Sequence, residues 1–502
     1  MAFCGPPAKR VVTVEYKDHG LQADEADRLA GEGHYLALKK AVRTYGELYA
    51  NRSARRRIAT PYAEACLLLA LREREIGIDN PATLAAAQKL IRENGALAGL
   101  EPYAVIISTL PVRTLGTMRD IGTTTIWDTT RVQTIKSAEE TLLKNGPANE
   151  FSAAVLAAWS SAYAVPIAGN RGKPAEYLKA YPDSPLLQYE AALGGGGEPQ
   201  PFEDLLARHP GFAEAHYNLG DLILKRGRLI EAETHLLKAS EAIPESPQIK
   251  ILLAGIYFAT EEFDKGLRFY DLTLEISPEY RDALLGKAVC LTYLERHEEA
   301  MAVLNRILEL GYWLIGEANY WLAWNLHDLK REAEALGHVD EAKGRLPTNS
   351  EVFELAGTIA LELNEIGRAE KDFLESLKYD AANAESLFGL GTIAGRKGLW
   401  AEAAGYYEKA GRALALLEIA IKAKIDEIKT SAFSEERRAR LVRKRELQIE
   451  RLRLTEAMAW YDAAAAWFNA GVKDKAVAAA AKSAAHPGLK DKTEELLRSI
   501  KN

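Results

Sequence analysis

The sequence feature that most constrains this chain is a pair of small-residue series that repeat in step. The first series consists of Gly220, Ala254, Ala288, Ala323, Gly357 and Gly391. The second series consists of Ala232, Gly266, Ala300, Ala335, Ala369 and Ala403. In both series the successive intervals are 34, 34, 35, 34 and 34 residues. Because both series contain the same single slip, they indicate one structural unit that is repeated six times.

The spacing within each unit is typical of two antiparallel helices. Small residues at the crossing points let two helix axes approach closely, and a large side chain fills the space beside them. The large position is Leu236, Tyr270, Leu304, Val339, Phe373 and Tyr407. A proline closes several units, at Pro210, Pro244, Pro278 and Pro347. One helix pair cannot bury its apolar face alone, so the pairs are expected to stack on one another.

The unit at Ala213–Ser246 resembles the tetratricopeptide repeat. It has Leu219-Gly220 early, Ala232 in the middle, Leu236 four residues later and Pro244 near the end. The resemblance implies an all-α, right-handed superhelical solenoid. It also implies a protein or peptide partner, held in a concave groove that the first helix of each pair lines.

Carrying the groove positions of the family over to this sequence gives a candidate partner-binding surface. Its residues are Tyr217, Asn218, Asp221, Ile251, Leu252, Phe258, Leu285, Val289, Tyr293, Tyr320, Trp321, Trp324, Phe388 and Arg396. Some relatives carry a Lys/Asn/Arg clamp for a terminal carboxylate, but the equivalent positions here are apolar or acidic. An aromatic lining is typical of an interaction surface. The alternative is that superhelical winding or the N-terminal helices of the chain cover this surface.

The pattern predicts five segments. They are an N-terminal extension (1–23), an irregular helical domain of degenerate repeats (24–200), six repeats (201–416), an extended antiparallel helical arm (417–456), and a last repeat-like pair with a capping helix (457–502). The arm is predicted because Ile421, Ile425 and Ile428 continue an apolar stripe beyond the sixth unit, and because Ser434 can cap a second long helix. We expect the arm to project beyond the solenoid.

Charged clusters on and near the arm are interpreted as solvated helix surfaces. The basic run 437–453 keeps an apolar face and has acidic residues interspersed, which favours a solvated helix face; contact with an acidic partner, RNA or lipid head groups is the alternative. Adjacent acidic residues such as Glu261-Glu262 are interpreted as solvated helix ends.

No catalytic or metal-binding motif has the required spacing, so we expect no catalytic residue, no metal site and no cofactor. A net charge of −7 and a pI near 5.9 also argue against a nucleic-acid partner. The leading hypothesis is a non-catalytic protein-interaction scaffold that acts in the assembly of a cell-envelope complex. A periplasmic component that binds a small molecule or lipid, and an enzyme with its site in residues 100–200, are the alternatives. The oligomeric state stays open.

The start of the chain carries a candidate localisation signal. Cys4 is followed by a Gly/Pro spacer and then by charge, which resembles the junction at which a bacterial lipoprotein is acylated. An apolar signal segment is absent from this sequence, and Phe3 is bulkier than the usual residue before the cysteine. The hypothesis is therefore a periplasmic or outer-membrane-associated lipoprotein, whose only membrane contact is a lipid at Cys4. A cytoplasmic protein is the alternative.

Overall fold

The computed structural model describes residues 19–51, 54–110, 112, 129–145, 147–162, 174–194, 197–311 and 314–501. Within these residues the chain is built from α-helices and two short 3-10 helices, and it contains no β-strand. The all-α prediction is confirmed. Cys4 and residues 113–128 lie outside the described residues. Among the helices that the structure describes, none is both long enough and apolar enough to cross a membrane.

The chain divides into two compact units, Met1–Ile249 and Lys250–Asn502. The first unit contains α1 (His19–Glu32), α2 (Tyr35–Tyr49), α3 (Arg55–Glu75), α4 (Pro81–Glu93), α5 (Glu101–Thr109), α6 (Thr129–Asn145), α7 (Glu150–Ala162), α8 (Pro174–Ala180), α9 (Pro185–Gly194), α10 (Gln200–Arg208), α11 (Ala213–Lys225) and α12 (Leu229–Ala242). Helix α13 (Pro247–Ala259) contains the division between the units. The second unit continues with α14 (Phe263–Ile276), α15 (Arg281–Tyr293), α16 (His297–Leu310), α17 (Ile315–Asp328), α18 (Glu332–Arg345), α19 (Ser350–Glu362), α20 (Ile366–Tyr379), α21 (Ala384–Arg396), α22 (Trp400–Thr430), α23 (Glu435–Asn469), α24 (Lys473–Ser483) and α25 (Lys490–Lys501).

The small residues lie where helices cross, as the sequence predicts. A Cβ atom placed on Gly357 would lie 2.6 Å from Cδ1 of Phe373, and one on Gly389 would lie 2.4 Å from the far edge of the same ring. Phe373 thus fills the space between α19 and α21, and it is 1% exposed. Ala254, Ala288 and Ala323 are fully buried. Phe373 therefore packs against its own pair and the next one, and contacts of this kind join neighbouring pairs into one stack.

A third series emerges in the turns between paired helices. The second residue after each first helix has a left-handed backbone, with φ between 55° and 77°. These residues are Gly227, Glu261, Glu295, Lys330, Asn364 and Gly398. Their spacing repeats the 34- and 35-residue intervals of the small residues. In each turn the next N–H donates to a carbonyl in the last turn of the first helix, for example from Glu262 to Tyr257 at 2.8 Å. This is the Schellman arrangement, which satisfies carbonyls at a helix end.

The first unit contains a buried charged cluster around Arg72, which is fully buried. The Arg72 guanidinium donates to Glu190 at 2.7 Å and to the Gly33 carbonyl at 3.1 Å, and it lies over the Tyr189 ring. Glu214 is also fully buried and accepts a hydrogen bond from the backbone N–H of Tyr35. Burial raises the pKa of Glu214 to about 7, even though the Arg72 charge acts to lower it.

Two cysteines are buried inside the helix pairs. Cys66 and Cys290 are both free thiols, and burial raises the pKa of each to about 12. Both thiols are therefore protonated and unreactive at neutral pH, which fits their interpretation as small core residues.

Candidate functional site

Helices α22 and α23 form the antiparallel arm that the sequence predicts. Ile421 and Ile425 of α22 pack with Ile449 of α23 in a small buried core. The Ser434 hydroxyl accepts a hydrogen bond from the N–H of Arg437 at 3.3 Å, so Ser434 is the N-cap of α23. At 31 and 35 residues, the two helices are about 46 and 52 Å long.

The arm was expected to project beyond the stack of helix pairs, and this expectation is wrong. The arm folds back along the second unit, and its tip contacts the turn between α13 and α14. Arg437 and Arg440 bind the Glu262 carboxylate. Lys444 Nζ and Arg445 Nη1 lie 3.0 and 2.6 Å from the carboxylate of Glu261. We call these ion pairs the latch.

The latch corrects the interpretation of Glu261-Glu262 as a solvated helix end, and it shows that Arg437 and Arg445 of the basic run are largely covered. The side chain of Glu262 is only 6% exposed and that of Arg437 only 13%. Burial would raise the pKa of Glu262, but hydrogen bonds and charges from Lys265 and Arg437 outweigh burial and lower the pKa. Lys444 and Arg445 lower the pKa of Glu261 in the same way, against the effect of burial. Both carboxylates are therefore held in the charged form.

The turn that the latch uses differs from the five equivalent turns. The two residues at this place are Gly227-Arg228, Glu261-Glu262, Glu295-Arg296, Lys330-Arg331, Asn364-Glu365 and Gly398-Leu399. Within this set the turn at 261–262 alone supplies two carboxylates. A basic helix tip is attracted to that turn and would be repelled by the one at 330–331, so the sequence specifies where the arm docks.

Six aromatic side chains form a continuous strip on the second unit, which we call the aromatic strip. They are Phe258, Phe263, Tyr293, Tyr320, Trp321 and Trp324. Phe263 and Tyr293 stack with ring centroids 4.6 Å apart and ring planes inclined by 6°. Tyr293 meets Trp321 edge to face at 5.9 Å. Tyr293 nevertheless stays 52% exposed, so half of a large apolar side chain faces solvent.

A cleft of about 1030 Å³ lies between one end of the aromatic strip and α23. The repeats contribute Phe258, Phe263, Tyr293 and Leu294 to its lining, together with Glu261, Glu262, Asp264 and Lys265. The arm contributes Arg440, Leu441, Lys444, Leu447, Gln448 and Arg451. Lys444 Nζ lies 4.6 Å from the centre of the Phe263 ring, a distance at which a cation and an aromatic face attract each other.

The structure brings together five of the predicted groove residues, namely Phe258, Tyr293, Tyr320, Trp321 and Trp324. Ile251, Leu252 and Leu285 are half-buried nearby in the same unit, whereas Val289 and Tyr320, at 5% and 6% exposed, belong to the interior. Phe388 packs edge to face on Tyr407, and Arg396 bonds to Asn364.

The predicted residues of the first repeat do not line an open surface. Tyr217, Asn218 and Asp221 are at most 2% exposed. Asn218 donates to the Tyr189 hydroxyl at 2.9 Å, and α2 and α10 pack on α11. The N-terminal helices therefore cover this repeat, which is the alternative that the sequence analysis kept open, and these three residues are corrected from groove to core.

Two parts of the site were missed by sequence reasoning. Phe263 is the first residue of a second helix, a position outside the family's groove pattern, although an aromatic residue there was a usable signal. The side of the cleft that α23 forms was also missed. Its contact between Arg437 and Glu262 joins residues 175 positions apart in the chain, and no periodic pattern predicts such a pairing.

Comparison with known proteins finds tetratricopeptide repeats in this chain. Two family models, each described as tetratricopeptide repeat, match residues 201–256 and 355–415. Among solved structures, a tetratricopeptide-repeat protein with an unusual peptide-binding site, YrrB, is 22% identical and covers 38% of this chain and 97% of its own, with a TM-score of 0.31. PilF of Pseudomonas aeruginosa is 21% identical, covering 41% of this chain and 93% of its own, with a TM-score of 0.36.

The curated relatives match through short segments. Anaphase-promoting complex subunit 3 of Schizosaccharomyces pombe is 26% identical over 25% of this chain and 23% of its own length. The human protein O-mannosyl-transferase TMTC1 is 25% identical over 39% of this chain and 22% of its own length. The chain thus spans less than a quarter of each of these relatives.

The family matches lie within the array of helix pairs whose small residues recur in step. They confirm the resemblance that the sequence suggested: the chain contains tetratricopeptide repeats, matched at residues 201–256 and 355–415.

Proposed function

We propose that this chain is a non-catalytic scaffold that binds a segment of a partner protein in the cleft between the aromatic strip and α23. Tetratricopeptide repeats generally mediate interactions between proteins. The observation that carries the proposal is Tyr293, which keeps half of its surface exposed while its ring stacks on Phe263 inside the cleft. Exposed aromatic side chains in a recess are the residues that most often dominate the energy of an interface.

The size and shape of the cleft support a peptide segment rather than a compact ligand. Its volume of about 1030 Å³ exceeds the range found for small-molecule pockets, which is about 300–1000 Å³. The aromatic strip also continues from the cleft to Trp324, so a bound segment would have further apolar surface along which to extend.

Photo-crosslinking through the cleft tests this proposal. A photoreactive amino acid in place of Tyr293 is expected to crosslink a discrete partner protein in cells that make this chain. The same replacement at Tyr379, which is 44% exposed on α20 and does not line the cleft, is the matched control. The identified partner should then bind the Tyr293→Ser variant roughly 30-fold more weakly, equivalent to about 2 kcal/mol. Identical crosslinks at both positions, or unchanged affinity of Tyr293→Ser, would contradict the proposal.

A role in assembling a cell-envelope complex, with a lipid at Cys4, is the finer form of this proposal. It depends on residues 3–10, which lie outside the described residues, and it stays a prediction. The alternative of an enzyme in residues 100–200 falls partly on residues 113–128 and 163–173, which also lie outside them.

A further inference from the structure

The mouth of the cleft has an excess of positive charge. Two carboxylates, those of Glu261 and Glu262, are bound by five basic side chains in all. These are Lys265, Arg437, Arg440, Lys444 and Arg445. Asp264 also lines the cleft, so three carboxylates face these five cations and Arg451, and a positive excess remains although the whole chain carries a net charge of −7.

The arm wall of the cleft alternates basic and apolar side chains. Arg440, Lys444 and Arg451 are separated by four and seven residues, so they lie on one face of α23. Leu441 and Leu447 lie beside them in the same wall. Arg451 is exposed and forms no ion pair with any residue that the structure describes. An anionic group entering the cleft would thus meet a cation that is not already neutralised.

The opposite wall of the cleft is aromatic, and it favours an apolar side chain in the ligand. Phe258, Phe263 and Tyr293 offer ring faces and edges to an apolar side chain. A polyanion such as RNA could also stack on these rings, but Glu261, Glu262 and Asp264 line the same cleft and would repel a continuous row of phosphates. A peptide with a few separated carboxylates avoids this repulsion.

We propose that the cleft recognises an acidic partner segment in which Asp or Glu residues flank an aromatic or aliphatic side chain. The apolar side chain packs on Tyr293 and Phe263, and the flanking carboxylates bind Arg451 and the arm cations around it. This inference rests on the proposed function and specifies the chemistry of the partner at the same site. It differs from a terminal-carboxylate clamp, because the cations come from the arm and not from the first helices of the repeats.

Selection from a random peptide display library against the full chain tests the inference. We expect the enriched peptides to carry Asp or Glu on both sides of Phe, Trp or Leu. A synthetic copy of the best peptide, measured by fluorescence anisotropy, should bind at least tenfold more weakly to the Arg451→Glu variant. Replacing the carboxylates of that peptide by amides should cause a similar loss.

Arg443 supplies the matched control. It lies on the same helix but outside the cleft lining, where it faces Glu446 and Glu450 at 3.7–3.8 Å. The Arg443→Glu variant is expected to bind the peptide like the unchanged chain. Equal losses in Arg443→Glu and Arg451→Glu would overturn the inference, because they would indicate a general charge effect.

The selection separates the two proposals. Enriched peptides that are basic or uncharged would overturn the acidic-segment inference and leave the scaffold function standing. An oligouridine that competes with the best peptide at equal concentration would also overturn the inference. A library that yields no peptide whose binding depends on Tyr293 would count against both proposals.

Discussion

Four of the six equivalent turns place a residue with a side chain in the left-handed region, where glycine is the residue best suited. These are Glu261, Glu295, Lys330 and Asn364, whereas the first and last turns use Gly227 and Gly398. For a residue other than glycine or asparagine this conformation costs roughly 1–2 kcal/mol. The Schellman hydrogen bonds and the packing of the two helices hold the backbone there in spite of that cost.

Glu295→Gly is therefore expected to stabilise the protein. The relief of backbone strain exceeds the entropic cost of a glycine in the unfolded chain, which is about 0.5–1 kcal/mol, so a net gain of roughly 0.5–1 kcal/mol should remain. Urea unfolding of the variant measures this gain. Gly398→Ala should lose a similar amount, since its φ of 75° is equally left-handed and no neighbouring atom lies within 4 Å of an added Cβ. A destabilised Glu295→Gly variant would contradict the argument.

Glu214 predicts a dependence of stability on pH in the first unit. Its folded pKa of about 7 lies above the ordinary value of 4.5, so the folded state holds its proton more tightly than the unfolded state does. The free energy of unfolding should therefore fall as pH rises from about 4.5 to 7 and then level off, and the loss attributable to this group is about 3 kcal/mol.

Glu214→Gln removes this titration while it keeps a side-chain oxygen for the Tyr35 N–H. The variant should gain stability over the unchanged chain at pH 8 and show little difference at pH 4.5, as measured by urea unfolding at both values. Glu241→Gln, an exposed change in the same unit, is the control. If Glu214→Gln kept the full pH dependence, the titrating group would have to be another one, such as Glu190, whose pKa burial also raises.

At the scale of elements, the latch joins the tip of the arm to one particular turn of the repeats. Four ion pairs contact this tip, and salt can reach two of the four cations. Arg440 and Lys444 remain 55% and 43% exposed in the latch. Screening of such pairs becomes strong near 1 M salt, where the Debye length is about 3 Å.

Neutralising both latch carboxylates should release the tip of the arm. With spin labels at Ala432→Cys and Arg268→Cys, we expect one short, narrow distance at low salt. The distance distribution should broaden and lengthen in 1 M NaCl, and also in the double variant Glu261→Gln, Glu262→Gln. The control is Glu295→Gln with Glu298→Gln, which neutralises two carboxylates at the next turn. An unchanged distribution in the latch variant would show that apolar packing alone holds the arm.

The two helices of the arm were predictable, but their direction was not. The stripe of Ile421, Ile425 and Ile428 and the Ser434 cap are local signals, because helical periodicity and capping act within a few residues. The docking of the tip depends on charges that are distant in sequence and belong to no periodic set. Single-sequence reasoning accordingly assigned Glu261-Glu262 and the basic run to solvent, where most such clusters lie.

At the scale of the whole molecule, the repeat pattern predicted the array of helix pairs because close helix crossings require small side chains at fixed intervals. It did not predict the division at Ile249/Lys250, since the pattern continues across that point without a change. The first helix of the first pair, α11, packs against α2 and α10. Its neighbours therefore differ from those of the later pairs, although it carries the same repeat pattern. The predicted segment limits at 200 and 416 stay predictions.

The arm also limits how such an array of repeats can evolve. An open stack of repeats tolerates duplication, because every new unit finds the same surface on its neighbour. Here a rigid rod of about 52 Å must reach from its base at the last repeats to one particular turn. With one unit more, the rod would fall short and meet Glu295-Arg296, where an arginine follows the single acid. The length of the arm and the number of repeats between its base and the turn at 261–262 can therefore change only together.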